Sequence, residues 1–264
     1  MASLSARPDG DRMSPPRDRR ALGAVLAAVI VVAVIVAAAA AAASVALYFS
    51  YHPEVQVTQT YSYSNFTALS VGSALKVEVT QSSAYGVSIT GDQRTLDQIE
   101  VSQNGDILTI AARPGMTTDF HGAQVRITMP RLGSVSLSGA TSGTAQGFDG
   151  GDGPLAVTLT GASSLEMTSV RAGNVTLDVS GASSFTATGS ANVLVSTVSG
   201  ASDLNLMGLT VEDTSMNLGG ASHAAIDVNG RLDASVSGAS SLQYRGSPTL
   251  GDITTSGASS VTKG

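Results

Sequence analysis

The sequence predicts an all-β fold, a parallel β-helix of rungs about twenty residues long, with one transmembrane helix ahead of it. Three observations carry this expectation. A short phrase, Ser-Gly-Ala-Ser or a near variant, occurs seven times between Leu137 and Ser260. Apolar residues alternate with period two on both sides of each copy. Near the start, 29 residues from Ala21 to Phe49 carry no charge.

Residues 1–20 are polar, with Pro8, Pro15 and Pro16 and five arginines, the composition of a disordered tail. A helix over residues 21–49 would span about 43 Å, enough to cross a hydrocarbon core of about 30 Å. The alternative is a cleaved signal peptide with small-residue sites near Ala41–Ala46 and a secreted product. A signal core of about 7–15 residues is shorter than this run, so the uncleaved anchor is the favoured reading. Arg7, Arg12, Arg17, Arg19 and Arg20 precede the span, and no Lys or Arg follows before Lys76. This asymmetry puts the N-terminus in the cytoplasm and the rest outside the cell membrane. Tyr48, Phe49 and Tyr51 suit an interfacial aromatic belt, and residues 50–61 read as a juxtamembrane linker.

Five of the 14 basic and three of the 20 acidic residues lie in the first 20 positions, which leaves the remainder at a net charge of −8. That balance, with no basic stripe, argues against a nucleic-acid partner. The chain has no cysteine, which excludes disulfides and thiolate metal sites.

The outer part, residues 62–264, divides into lead-in strands over 62–132 and repeats over 133–264. Leu75, Val77 and Val79 alternate, as do Val87 and Ile89, the run Ile107–Ala111, and Val125, Ile127 and Met129. Gly91–Gln98 suits a helical turn with Leu96 and Ile99 inward. Asn104-Gly105 is a two-residue hairpin signal. In the repeats the glycines Gly139, Gly161, Gly181, Gly200, Gly220, Gly238 and Gly257 are 22, 20, 19, 20, 18 and 19 residues apart. Apolar residues stand four and two positions before the glycine and four, mostly six, after it, with Ser196 at −4, Thr255 at −2 and Gly143 at +4 as exceptions. Glycine permits positive φ at a corner. Ala140, Ala162, Ala182, Ala201, Ala221, Ala239 and Ala258 follow it as small residues expected to point inward. Thr141, Ser163, Ser183, Ser202, Ser222, Ser240 and Ser259 come next, and stacked rungs would line up their hydroxyls about 4.8 Å apart as a candidate binding surface.

Phe66-Thr67-Ala68-Leu69, Val77 to Gln81, Asn104 to Ile110 and Val125 to Pro130, leading into the Ser-Gly-Ala-Ser rungs, resemble the head GIN domain of putative auto-transporter adhesins. The resemblance covers about residues 62–264. It implies a right-handed parallel β-helix on a cell envelope, and it transfers no functional residues. An autotransporter barrel is not evident, so the N-terminal anchor would replace it.

Signals for chemistry are weak. His52, His121 and His223 have no metal-ligand spacing. Ser73–Lys76 and Ser260–Lys263 match S-x-x-K, a motif that needs a helix, whereas alternation in a strand sends the two side chains to opposite faces. Asp149-Gly150-Gly151-Asp152-Gly153 resembles a calcium turn but occurs once. Glu166, Asp178, Asp203, Asp227 and Asp233 fall at scattered offsets from the repeat glycine and do not form a carboxylate pair. Asn65-Phe66-Thr67 and Asn174-Val175-Thr176 are glycosylation sequons. No cofactor, metal or catalytic residue is expected. The sequence favours a non-catalytic module that presents hydroxyls to a glycan or an envelope protein. The alternatives are a structural spacer or sensor ectodomain, and an enzyme acting on carbohydrate.

Overall fold

The computed structural model describes residues 56–115, 120 and 122–264. The expected tail, the span over 21–49 and the first part of the linker lie outside the described residues. So do His52 and His121. No helix among the described residues is long and apolar enough to cross a membrane. Residues 57–61, expected as linker, instead form the first strand.

The chain runs β1 (Val57–Tyr61), β2 (Ala68–Val71), β3 (Lys76–Gln81), β4 (Gly86–Gly91), α1 (Gln93–Gln98), β5 (Ile99–Asn104), β6 (Ile107–Ala112) and β7 (Gln124–Met129). The repeats follow as β8 (Ser134–Leu137), β9 (Ser142–Gln146), β10 (Leu155–Leu159), β11 (Ser164–Val179), β12 (Ser184–Val198), β13 (Asp203–Leu218), β14 (His223–Val228), β15 (Arg231–Val236), β16 (Ser241–Gly246), β17 (Thr249–Thr255) and β18 (Ser260–Lys263). Each Ser-Gly-Ala-Ser phrase is a tight corner between a pre-turn and a post-turn strand. β11, β12 and β13 run on through the opposite corner, with register shifts at Met167/Val170, Thr186/Thr188 and Leu206/Thr210. Core positions hold fixed offsets from the glycine, so the slip in repeat length is taken up at this second corner.

Parallel pairing stacks the rungs, as expected for a solenoid-like β-helix. At the N-terminal end the order in space departs from the order in sequence. β2 pairs with β8 on one side and β6 on the other, and β3 pairs with β9 and β7. The β2–β3 rung is therefore inserted between the β6–β7 layer and the first repeat. β4 then pairs antiparallel with β7, β1 with β4, and β5 with β6. The β5–β6 hairpin confirms the turn signal with a shift: Asn104 pairs with Ile107, so the loop residues are Gly105 and Asp106, and Gly105 carries φ 60°. In α1, Leu96 is buried and Ile99 follows it inward, as expected.

One core runs through all rungs. The offsets −4 and −2 (Leu177 and Val179, for example) and +4 and +6 (Phe185, Leu204, Met167, Leu206) are almost solvent-free. It fades in the last rung, where Val261 is half-buried and Lys263 exposed.

The corner reverses two expectations. The alanines Ala140, Ala162, Ala182, Ala201, Ala221, Ala239 and Ala258 are exposed, not inward. Thr141, Ser163, Ser183, Ser202, Ser222 and Ser240 are at most 2% exposed, and Ser259 is half-buried. The physical cause is that glycine and alanine together make the turn, with glycine φ of 75–84°. The following residue then resumes the inward parity of +4 and +6. Its hydroxyl closes the turn: Ser163 Oγ donates to Thr160 O at 2.8 Å and Ser183 Oγ to Ser180 O at 2.8 Å. Thr141, Ser202, Ser222 and Ser259 do the same. Between rungs, the alanine N–H donates to the preceding glycine's carbonyl, as in Ala182 to Gly161 at 2.7 Å and Ala201 to Gly181 at 2.7 Å. That same oxygen occupies the space a Cβ on the stacked glycine would need; at Gly161 the separation would be 2.5 Å, to Gly139 O.

Candidate ligand-binding face

With the +2 column buried, the residues that face solvent are those of the other parity. On the post-turn strands, register pairing aligns the +3 positions across the whole stack: Thr58, Thr90, Gln124, Lys76, Ser142, Ser164, Ser184, Asp203, His223, Ser241 and Ser260. A second column beside it holds Thr60, Ser88, Arg126, Glu78, Thr144, Glu166, Thr186, Asn205, Ala225, Gln243 and Thr262. Neighbours in each column are about 4.8 Å apart. Ten of the eleven side chains in the second column can donate or accept hydrogen bonds, and so can all of the first.

The face is concave towards its N-terminal half. A groove of about 330 Å³ is lined by Lys76, Ser142, Gly143, Thr144, Ser164, Glu166, Ser184 and Thr186. It continues into one of about 460 Å³ walled by Phe120, Gly122 and Gln124, with which it shares Lys76 and Ser142. On the other side it meets one of about 260 Å³ bounded by Glu78, Thr80, Gln146 and Thr168, sharing Thr144 and Glu166. The trough opens over Gly143, the one repeat in which +4 is not a side chain. A Cβ there would stand 2.9 Å from Leu137 Cδ1 and 3.1 Å from Leu165 Cδ1, because the neighbouring core side chains already fill that volume.

Charges in the trough are of both signs. Arg126 Nε donates to Glu78 Oε2 at 3.2 Å, and Gln124 Nε2 donates to the same oxygen at 3.3 Å. Neither the Lys76 nor the Glu166 side chain has an ion-pair or hydrogen-bond partner among the described residues. Further along, His223 Nδ1 lies 2.7 Å from Ser241 Oγ, with Asp203 on the next rung. The other charge pairs among the described residues sit at the second corner, where Arg231 bonds both oxygens of Asp233 and Arg245 reaches Asp227. The bond to Arg231, and then the Asp252 N–H, hold the Asp233 carboxyl below the usual carboxylate range.

The remaining sequence signals resolve into structure. Ser73 Oγ accepts from Ala112 N–H at 3.1 Å and supports a turn. Asp149 Oδ1 accepts from Gly151 N–H at 3.0 Å, a local aspartate turn. No group of three or more His, Asp or Glu among the described residues is placed to hold a metal ion. The sequence did not mark Glu78, Gln124, Arg126 or the +3 and +5 columns as a site, and it placed Lys76 only in an S-x-x-K match and Glu166, Asp203 and His223 only as scattered single residues. For the repeat columns the signal was available, since +3 and +5 are the polar parity between the apolar +4 and +6; the lead-in residues join them only through non-sequential stacking.

Residues 65–248 match the family described as "Putative auto-transporter adhesin, head GIN domain". The fold is shared with solved structures. A putative adhesin from Bacteroides fragilis superposes with a TM-score of 0.71 at 18% identity, over 80% of this chain and 98% of the other. A putative adhesin from Parabacteroides distasonis gives 0.64 at 18% identity, over 80% and 97%. A putative lipid binding protein from the same species gives 0.62 at 15% identity, over 79% and 96%. No curated protein matches.

Proposed function

Because this chain belongs to the head GIN domain family of putative auto-transporter adhesins, we propose that it is a non-catalytic surface interaction module. In this reading residues 21–49 anchor it in the cell membrane with the N-terminus cytoplasmic. The β-helix then stands outside, wound right-handed as parallel crossovers almost always are. The post-turn face takes a glycan or an envelope protein as ligand. The observation that carries the reading is the trough, where unpaired Lys76 and Glu166 flank a patch of Ser142, Thr144, Ser164 and Thr186. Short hydroxyl side chains with one free charge of each sign suit a polar, hydroxyl-rich ligand. A repeating array suits a repeating ligand, whose weak contacts gain from multivalency.

The test is binding of the full chain to a panel of envelope glycans and to isolated envelopes. Lys76→Ala with Glu166→Gln should weaken retention at least tenfold. Thr197→Ala with Ser235→Ala, on the opposite face, should leave it unchanged. Retention lost only with the second pair would move the site to the pre-turn face.

A further inference from the structure

Each sheet of the β-helix ends at an edge, and the four edges differ. Among the described residues, β5 pairs only with β6 and carries Glu100; β17 carries Asp252 and β18 carries Lys263. Charged residues on an edge oppose strand addition. β1 reads Val57-Thr58-Gln59-Thr60-Tyr61, with no charge, proline or glycine. Its five-residue register with β4 is unbroken, and β4 is its only ladder partner among the described residues. β1 also projects. Counting outward from the β2–β3 rung, the pre-turn side adds β6 and β5, whereas the post-turn side adds β7, β4 and β1. β1 thus stands about one strand spacing, roughly 4.8 Å, beyond its neighbour sheet.

We propose that β1 is a self-pairing edge through which a second copy of this chain adds antiparallel about a two-fold axis. The occupant is a second copy because the strand is self-complementary. Centred on Gln59, Thr58 faces Thr60 of the partner subunit and Val57 faces Tyr61 of the partner subunit. Cross-strand Thr–Thr pairs are favourable, and no charge meets its like. The projection of β1 keeps the two β5 edges, each with Glu100, about two strand spacings farther apart than the β1 strands. A two-fold interface of this kind closes on itself and gives a dimer. The post-turn columns would then run unbroken from one copy into the next.

The chain has no native cysteine, so an introduced one reports contact directly. In the solubilised full chain under mild oxidation, Gln59→Cys should give a disulfide-linked dimer, since opposed residues of an antiparallel pair have Cα atoms within disulfide reach. Ser102→Cys on β5 should stay monomeric. Adding Thr58→Lys and Thr60→Lys to the Gln59→Cys chain should cut cross-linking at least tenfold, because lysine would oppose lysine. Replacing that pair by Thr58→Lys and Thr60→Glu should restore it. Equal cross-linking from both cysteine positions, or cross-linking indifferent to the paired lysines, overturns the proposal. The readout needs no ligand, so it stands or falls apart from the binding reading.

Discussion

Ser183 shows what the repeat phrase encodes at the level of single atoms. Its hydroxyl donates to Ser180 O and accepts from Ser163 N–H at 3.3 Å, so it ties a turn to the rung before it. Ser183→Ala should destabilise by about 1–2 kcal/mol, because it leaves a buried N–H and a carbonyl without that partner. Ala182→Leu, one residue away and exposed, should change stability by no more than about 0.5 kcal/mol. Urea unfolding of the two variants distinguishes them, and a larger loss at Ala182 would contradict the assigned inside and outside. The inward parity of Ser183 was legible: period two carried from Phe185 back across Ser183 already points it inward. What hid it was the chemistry of the side chain, since a hydroxyl is read as a surface group until its carbonyl partner is seen. Among the described residues, two inward hydroxyls lack such a partner, Ser196 Oγ and Thr214 Oγ1. Thr214→Val keeps the shape and removes the orphan, so it should stabilise by about 1 kcal/mol, raising the urea midpoint. An unchanged or lowered midpoint would indicate a partner for that hydroxyl.

Among the elements, α1 depends on one carboxylate. Asp92 caps it, with Thr95 N–H donating to Oδ1 at 3.0 Å and Thr95 Oγ1 to Oδ2 at 2.6 Å. The side-chain bond from Thr95, with the backbone bond beside it, holds the Asp92 carboxyl below the usual range. A lowered carboxylate stabilises the fold above its unfolded value of about 3.9, and that contribution is lost as pH falls through the lower folded value. Asp92→Ala should cost about 1 kcal/mol at neutral pH and flatten this part of the acid-unfolding curve. Hydrogen exchange at Leu96, whose N–H bonds Asp92 O, should speed up. Exchange unchanged at Leu96 would remove the cap from the account. The strands were legible from alternation, and the helical turn from Leu96 and Ile99 as an inward pair; the Asp92 cap came only with the structure. The insertion of β2–β3 between β6–β7 and β8–β9 was not, because pairing between strands distant in sequence leaves no local pattern. Nor was the second corner, which has no repeated phrase. Most of the candidate trough was likewise invisible: Lys76 and Gln124 meet Ser142 only through that non-sequential stacking.

Across the whole molecule, the glycine column decides whether rungs can close to strand spacing. Gly200 has φ 80°, and a Cβ there would collide with the Gly181 carbonyl oxygen that receives the Ala201 N–H. Gly200→Ala should therefore cost about 2–4 kcal/mol, from left-handed backbone and overlap together. Gly147, at φ 78° with open space around it, should cost only about 1–2 kcal/mol when changed to Ala. Thermal unfolding of both variants measures the difference, and equal losses would mean that rung contact adds nothing to the backbone term. The inserted rung bears on force. A load applied through residues ahead of β1 would meet β1 first, which within the described chain is held by β4 alone, a single ladder of five residue pairs. The next strand in the line of pull is β2, gripped by β6 on one flank and β8 on the other. Drawing it out would mean breaking two ladders together, so under a load from the N-terminal side this early rung would give way later than β1 and spare the rungs beyond it.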